Sequence, residues 1–205
     1  SSMIIGTAGF TAAECVQKLE RSGMTPASGP VLVTGATGGV GSVAVKLLAQ
    51  LGYEVAAVTG KEDKHDFLRS LGASEILSRE EANAGSDKPM LAERWGGVVD
   101  TVGGDILFNG VKSLRYGCSL AACGLVAAPV FSASVLPFIL RHVNLLGIDS
   151  VQLPIEEKAE IWHRLGDEWL MDLSDLEEVL TLDDVSDAID RILAGQMVGR
   201  GVVHL

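Results

Sequence analysis

A chain of 205 residues is long enough to bury a full hydrophobic core, as one domain or as one domain with part of a second. Its 27 acidic residues against 16 basic ones leave a net charge of −11, which argues against nucleic acid or an anionic membrane as partner. Three cysteines, Cys15, Cys118 and Cys123, form no CxxC pair, so they read as reduced thiols of a cytoplasmic protein rather than as disulfides or a zinc lobe.

Ser1-Ser2 stands where an initiator Met would be and reads as a cloning scar or a truncation point. Residues 6–23 read as a helix, with Cys15, Val16 and Leu19 towards a core and Glu14, Lys18, Glu20 and Arg21 outward. The connector 25–30, rich in Pro, Ser and Gly, ends it. Val31-Leu32-Val33 is a buried strand, and Val40, Val43, Ala44, Leu47, Leu48 and Leu51 form one helical face stopped by Gly52. Further strands are expected at 54–58, 75–77, 97–102, 119–123 and 144–148. Helices lie between them at 62–71, after the capping box Ser78-x-x-Glu81, and at 106–114. The uncharged stretch 116–140 is interrupted by Gly124, Pro129 and Pro137, so it reads as strand, loop and short helix rather than as a membrane span.

Strands alternating with helices predict an α/β fold: a Rossmann-type, doubly wound parallel sheet of about six strands with helices on both faces. The expected organisation is an opening helix and connector over 1–30, a dinucleotide-binding core over 31–150, and a C-terminal part over 151–205. That last part holds helices over 155–170 and from Asp183, a strand at 179–182 and a closing strand at 199–205. The helix from Asp183 carries Val185, Ala188, Ile189, Ile192 and Leu193 on one face, and the closing strand has no partner among the six.

Between the first strand and its helix stands Ala36-x-Gly38-x-x-Gly41, the dinucleotide fingerprint with Ala for its first glycine. Small residues are needed there for a tight turn, for close approach of backbone amides to a pyrophosphate, and for packing of helix on strand. NAD-binding versions of this unit carry an Asp or Glu about 20 residues past the glycines, to accept from the ribose hydroxyls. Here that position falls on Val58-Thr59-Gly60-Lys61. With no acid and a cation beside the gap, Thr59 and Lys61 suit a 2′-phosphate, and Arg79 offers a second, bidentate contact; the expected cofactor is NADPH.

Two other nucleotide-site readings fail. The short-chain dehydrogenase Tyr-x-x-x-Lys pair is absent, because Ala57 and Leu120 stand four residues past Tyr53 and Tyr116. Gly60-Lys61 is followed by Glu62, not by the Ser or Thr of a P-loop.

The segments IIGTAGFTA (4–12), VLVTGATGGVGSVAVKLLAQLGYEV (31–55), TGKEDKHDFLRSLGAS (59–74), VVDTVGG (98–104), LLGIDSV (145–151) and LDDVSDAIDRILAGQMVGRGVV (182–203) together resemble a medium-chain dehydrogenase/reductase. They resemble most its zinc-independent branch of acryloyl-CoA reductases and quinone-oxidoreductase-like proteins. The resemblance implies that Gly38, Gly39, Val40 and Gly41 hold the pyrophosphate and that Thr59, Lys61 and Arg79 hold the 2′-phosphate. It further implies that Val102-Gly103-Gly104 and Cys123-Gly124-Leu125 reach the nicotinamide, with Asp149-Ser150 close by.

The implied activity is NADPH-dependent hydride transfer to an activated double bond, an enoyl-CoA such as acryloyl-CoA. Quinone reduction and a non-catalytic NADPH-binding module are the alternatives. The superfamily's zinc ligand after an Ile-Gly pair is replaced by Thr7, and His65, His142, His163 and His204 show no ligand spacing, so no metal is expected. Full members of the family carry an N-terminal catalytic domain, which the closing strand would complete. Its absence is expected to leave Phe10 and Val202-Val203 exposed or repacked, for instance in a homodimer, and to leave the chain able to bind cofactor without turnover. No catalytic acid is nominated: neither Tyr53 nor Tyr116 falls convincingly at the site.

Overall fold

The computed structural model describes residues 2–204. Six strands, β1 (Val31–Val33), β2 (Val55–Val58), β3 (Glu75–Leu77), β4 (Gly97–Asp100), β5 (Ser119–Ala122) and β6 (Asn144–Gly147), form one parallel sheet in the order β3-β2-β1-β4-β5-β6. Successive residues of a strand point to opposite faces, and the two cores follow that alternation. Val31 and Val33 enter one core with Val55, Ala57 and Val99; Leu32 enters the other with Ala56, Val58 and Val98. A sheet buried on both faces needs apolar residues at every position, which is why β1 reads Val-Leu-Val.

Helices α1 (Ser2–Arg21), α2 (Gly39–Gln50), α3 (His65–Ser70) and α7 (Ile155–Gly166) contribute to the first core. Helices α4 (Arg79–Asn83), α5 (Gly104–Lys112) and α6 (Leu136–Arg141) lie on the second. The capping box forms as read, with Glu81 N–H donating to Ser78 Oγ at 3.1 Å and Ser78 N–H to Glu81 Oε2 at 2.7 Å.

Boundaries depart from the sequence reading where glycine permits unusual backbone. The first helix begins at Ser2 and kinks at Gly6 (φ 47°), and α5 starts two residues early because Gly103 and Gly104 both take positive φ. Strand β7 (Glu177–Leu180) falls two residues before its expected place, and α7 stops at Gly166, short of residue 170. The closing strand, β8 (Arg200–Val203), pairs in parallel with β7, away from the main sheet. Leu205 lies outside the described residues.

Of the residues expected to be exposed or repacked, Phe10 is buried beneath Trp162, ring centroids 5.6 Å apart, Val202 joins the first core, and Val203 is 38% exposed. By contrast, the apolar face of α8 (Val185–Leu193) is half open, with Ile189 50% and Ile192 56% exposed. Among the described residues no helix is long and apolar enough to cross a membrane.

One charged residue was expected outward and points in. Glu14 is buried at 4% exposure between α1 and the end of β6, and its Oε2 has no hydrogen-bond partner. Burial raises its pKa above the ordinary 4.5, against the smaller opposing pull of Lys18. A carboxyl raised on folding adds stability that is complete below its unfolded pKa and is lost as pH rises through the folded one. Glu14→Gln, which mimics the protonated acid, is therefore expected to melt higher than wild type at pH 8, with the gain vanishing below pH about 4.5. Melting curves across that range check it; a gain that persisted unchanged at low pH would contradict it.

Candidate dinucleotide site

The C-terminal ends of β1 and β4, adjacent in the sheet, carry chains that leave in opposite directions, and the crevice between them is the place where open α/β sheets take ligands. A polar clasp fixes its width. Thr34 Oγ1 donates to Asp100 Oδ1 at 2.7 Å, and Gly103 N–H donates to Asp100 Oδ2 at 2.8 Å. Thr101 N–H donates to Thr34 Oγ1 at 3.0 Å, and Thr101 Oγ1 donates to Thr34 O at 2.9 Å. Asp100 is completely buried; desolvation raises its pKa although Thr34 and the Gly103 and Val102 N–H groups pull it down.

The glycine loop then does what its residue types allow. A Cβ on Gly41 would collide with Gly35 O, so this is the glycine of close helix–strand contact. Gly38 is the N-cap of α2, and the open N–H groups of that helix start at Gly39. Gly124 and Gly103 likewise leave no room for a side chain, against Thr101 O and Ala128 O.

Two adjoining cavities occupy the crevice. The first, about 170 Å³, is an apolar slot lined by Val58, Thr59, Gly60, Arg79, Val102 and Ile106, among others. The second, about 540 Å³, runs from Gly38 and Gly39 past Lys61 and Arg79 to the exposed apolar face of α8. The structure thus brings together Gly38, Gly39, Thr59, Lys61, Arg79 and Val102 along the two cavities. Val40 and Gly41 lie in the first turn of α2 behind them.

The remaining expected residues line neither cavity. Gly103 and Gly104 turn the chain into α5, and Cys123 Sγ donates to Asp100 O at 3.3 Å. Gly124 backs onto Thr101, and Leu125 is 65% exposed. Asp149 caps a turn, its Oδ1 accepting from Val151 N–H and Gln152 N–H, and Ser150 Oγ accepts from Thr11 Oγ1. Neither tyrosine reaches the crevice. Tyr53 is buried against Glu20 and Met24, its pKa pushed up to about 12 first by burial and then by the Glu20 carboxylate, and Tyr116 stacks on His142. Among the described residues no three of His, Cys, Asp or Glu converge on a metal site.

Sequence reasoning missed Arg200. Its guanidinium lies over the glycine loop, with Nη1 2.9 Å from where a Cβ on Gly39 would be, while Nε donates to Ile4 O at 3.0 Å. It comes from a strand 161 residues after Gly39, and nothing local in the sequence connects the two. Arg79 is also better placed than its number suggested. It lies across the backbone of Gly60, where a Cβ would stand 2.6 Å from its Nε.

The zinc-binding dehydrogenase family profile matches residues 39–167. The chain belongs to that family. An acrylyl-CoA reductase of Ruegeria pomeroyi is 49% identical over the whole chain, which spans 62% of that protein. The solved yhdH oxidoreductase of Salmonella enterica, in complex with NADP, is 45% identical with a TM-score of 0.93, covering 100% of this chain and 63% of its own. YhfP of Bacillus subtilis, named for a quinone oxidoreductase, is 44% identical over 100% of this chain and 62% of its own. Its structure with NAD bound gives a TM-score of 0.96 and covers 63% of that chain. The chain thus spans less than two thirds of the relatives it matches.

The clasp is testable. Asp100→Ala leaves the Thr34 hydroxyl and the Gly103 amide without their acceptor, and should cost roughly 1–3 kcal/mol for each stranded donor. Urea denaturation at pH 7 measures this; an unchanged midpoint and slope would show that the clasp does not hold the sheet.

Proposed function

We propose that this chain is the NADPH-binding unit of an oxidoreductase acting on an activated C=C bond, with a short enoyl-CoA as substrate class. The observation that carries the reading is the end of β2. Where a ribose-binding acid would stand there is Thr59, and the two nearest charges in the crevice are Lys61 and Arg79. The acrylyl-CoA reductase name of the 49% identical relative and the NADP bound to the Salmonella structure support it.

The pocket fits such a cofactor. Gly38, Gly39, Val40 and Gly41 offer the open N-terminal amides of α2 to the pyrophosphate, and Arg200 lies above them with a matching charge. Val58, Val102 and Ile106 give the adenine an apolar slot, with Thr59, Lys61 and Arg79 at its rim for the 2′-phosphate. Val102 to Gly104, Cys123 to Leu125 and Asp149-Ser150 are assigned to the nicotinamide end. They follow β4, β5 and β6, the strands on that side of the crevice. The bound cofactor supplies the hydride; this chain's residues bind it, orient it and keep water from its floor.

The donor set does not suit zinc, since Thr7 replaces the ligand position and the histidines are dispersed. Residues 151–204, with β7 and β8, are assigned to the junction with a catalytic domain. Quinone reduction stands as the second reading, supported by the name of the Bacillus relative.

Lys61→Glu removes a charge-assisted bond worth about 1.5–3 kcal/mol, so the Kd for NADPH should rise roughly ten- to hundredfold while that for NADH changes little. Fluorescence titration of both cofactors decides it, and equal wild-type affinity for the two would overturn the assignment.

The 205-residue chain itself is expected to bind NADPH without oxidising it, because hydride transfer needs the acceptor held within about 3–3.5 Å in a site closed to water. Assays with acryloyl-CoA and with a quinone on the same sample test this. Steady turnover by the purified chain would show that the described residues already complete the active site.

A further inference from the structure

One wall of the crevice is a strap from far along the chain. Between α8 and β8, residues 195–199 bend at Gly195 (φ 68°) and Gly199 (φ 67°), and three bonds lay the strap down. Lys61 Nζ donates to Met197 O at 2.7 Å, Gly199 N–H donates to Thr37 O at 3.0 Å, and Arg200 Nε donates to Ile4 O at 3.0 Å. The first of these is the unusual one. It spends a donor of a cation already assigned to a ligand, and that cation is half-buried. Burial lowers the Lys61 pKa, and Lys64 and Arg79 lower it further, with Asp63 pulling the other way.

We propose that Lys61 couples recognition of the 2′-phosphate to closure of the strap: the ammonium that meets the phosphate also holds the Met197 carbonyl, so NADPH fastens residues 195–199 across the crevice and NADH does not. This rests on the NADPH reading above. An ammonium has three N–H donors, so one can stay on Met197 O while the others turn to an anion. A phosphate beside Lys61 and Arg79 offsets the repulsion between the two cations and the desolvation of the ammonium. Held between the phosphate and the strap, the ammonium also loses the side-chain freedom with which it would leave the carbonyl for water, so its charge-assisted bond to Met197 O is strengthened. The strap continues into Arg200 over Gly39 and is preceded by α8, so fastening Met197 also fixes the guanidinium above the pyrophosphate amides and the apolar wall of Ile189 and Ile192. Such coupling is reciprocal: a strap held down must sharpen the preference for NADPH. Lys61 is then a specificity residue twice over, by direct contact and by positioning the strap.

The experiment is amide hydrogen exchange at Gln196 and Gly199, read by NMR on the full chain saturated first with NADPH and then with NADH. Saturation removes the difference in affinity, so what remains is the difference in closure. Exchange should be at least about fivefold slower with NADPH, the lower end of ordinary coupling between two sites. Lys61→Gln should abolish the difference. Arg79→Gln should weaken NADPH binding yet preserve it, because Arg79 does not hold Met197. Equal protection by the two cofactors, with NADPH still binding more tightly, overturns the coupling and leaves the cofactor reading standing. Equal affinity of the wild type for both overturns that reading and the coupling with it. A difference that survives in Lys61→Gln overturns the role given to Lys61.

Discussion

The structure depends on one buried carboxylate. Asp100 binds Thr34 through one oxygen and the Gly103 amide through the other, and so fixes the distance between the ends of β1 and β4 and the directions in which both chains leave. The crevice exists because those directions diverge. The clasp also decides which glycines are required: a Cβ on Gly35 would collide with Thr101 Oγ1, which is pinned to Thr34 O, and Gly103 takes φ 71° to bring its amide onto the acid. Desolvating a carboxylate is expensive unless its oxygens are satisfied, and here donors meet both.

Electrostatics in this protein work at two ranges with opposite signs. The whole chain carries −11 and repels an anionic cofactor at a distance, whereas Lys61, Arg79 and Arg200 present positive charge within the crevice. At physiological salt the far field is screened beyond about 8 Å, so the near charges win at contact. On the proposed function, affinity for phosphate rests on these three side chains and a helix terminus, and the acidic surface contributes little. The three cations come from the segments after β2, after β3 and at the start of β8, which means only the folded chain assembles them.

Most of the fold was legible because its signals are local. All six sheet strands, the capping box and the glycine loop could be read from runs of a few residues, and only their ends moved. The misreadings share a cause: they depend on what lies opposite. The helical period that placed Glu14 outward could not know that the end of β6 would cover it. The same period gave α8 an apolar face without saying whether a core or a cleft meets it. For Phe10 and Val202-Val203 the sequence left open exposure or repacking, because Trp162 and the pairing of β8 with β7 are long-range facts. In the site, Gly38, Gly39, Thr59 and Lys61 were expected from spacing along one βαβ unit and Arg79 from its place after the next strand, and the crevice gathers all five, whereas Arg200 was invisible because its partner loop lies 161 positions earlier.

That separation has a consequence for how the site must behave. Gly38, Gly39, Thr59, Lys61 and Arg79, which the proposed function gives to phosphate, follow closely on β1, β2 and β3, and the Thr34–Asp100 clasp ties the ends of β1 and β4 together. The apolar wall sits on α8, which reaches the main body through a two-stranded sheet and a handful of strap bonds. Elements joined by few contacts open at lower cost than those in the core. On the proposed function, the half of the crevice on the main sheet sets which dinucleotide binds, while the half on α8 is the one able to change position once it has bound. A single segment supplying both halves could not separate those tasks. Here the chain divides them between residues 31–104 and 185–203, and Lys61 and Arg200 are side chains that bridge the two.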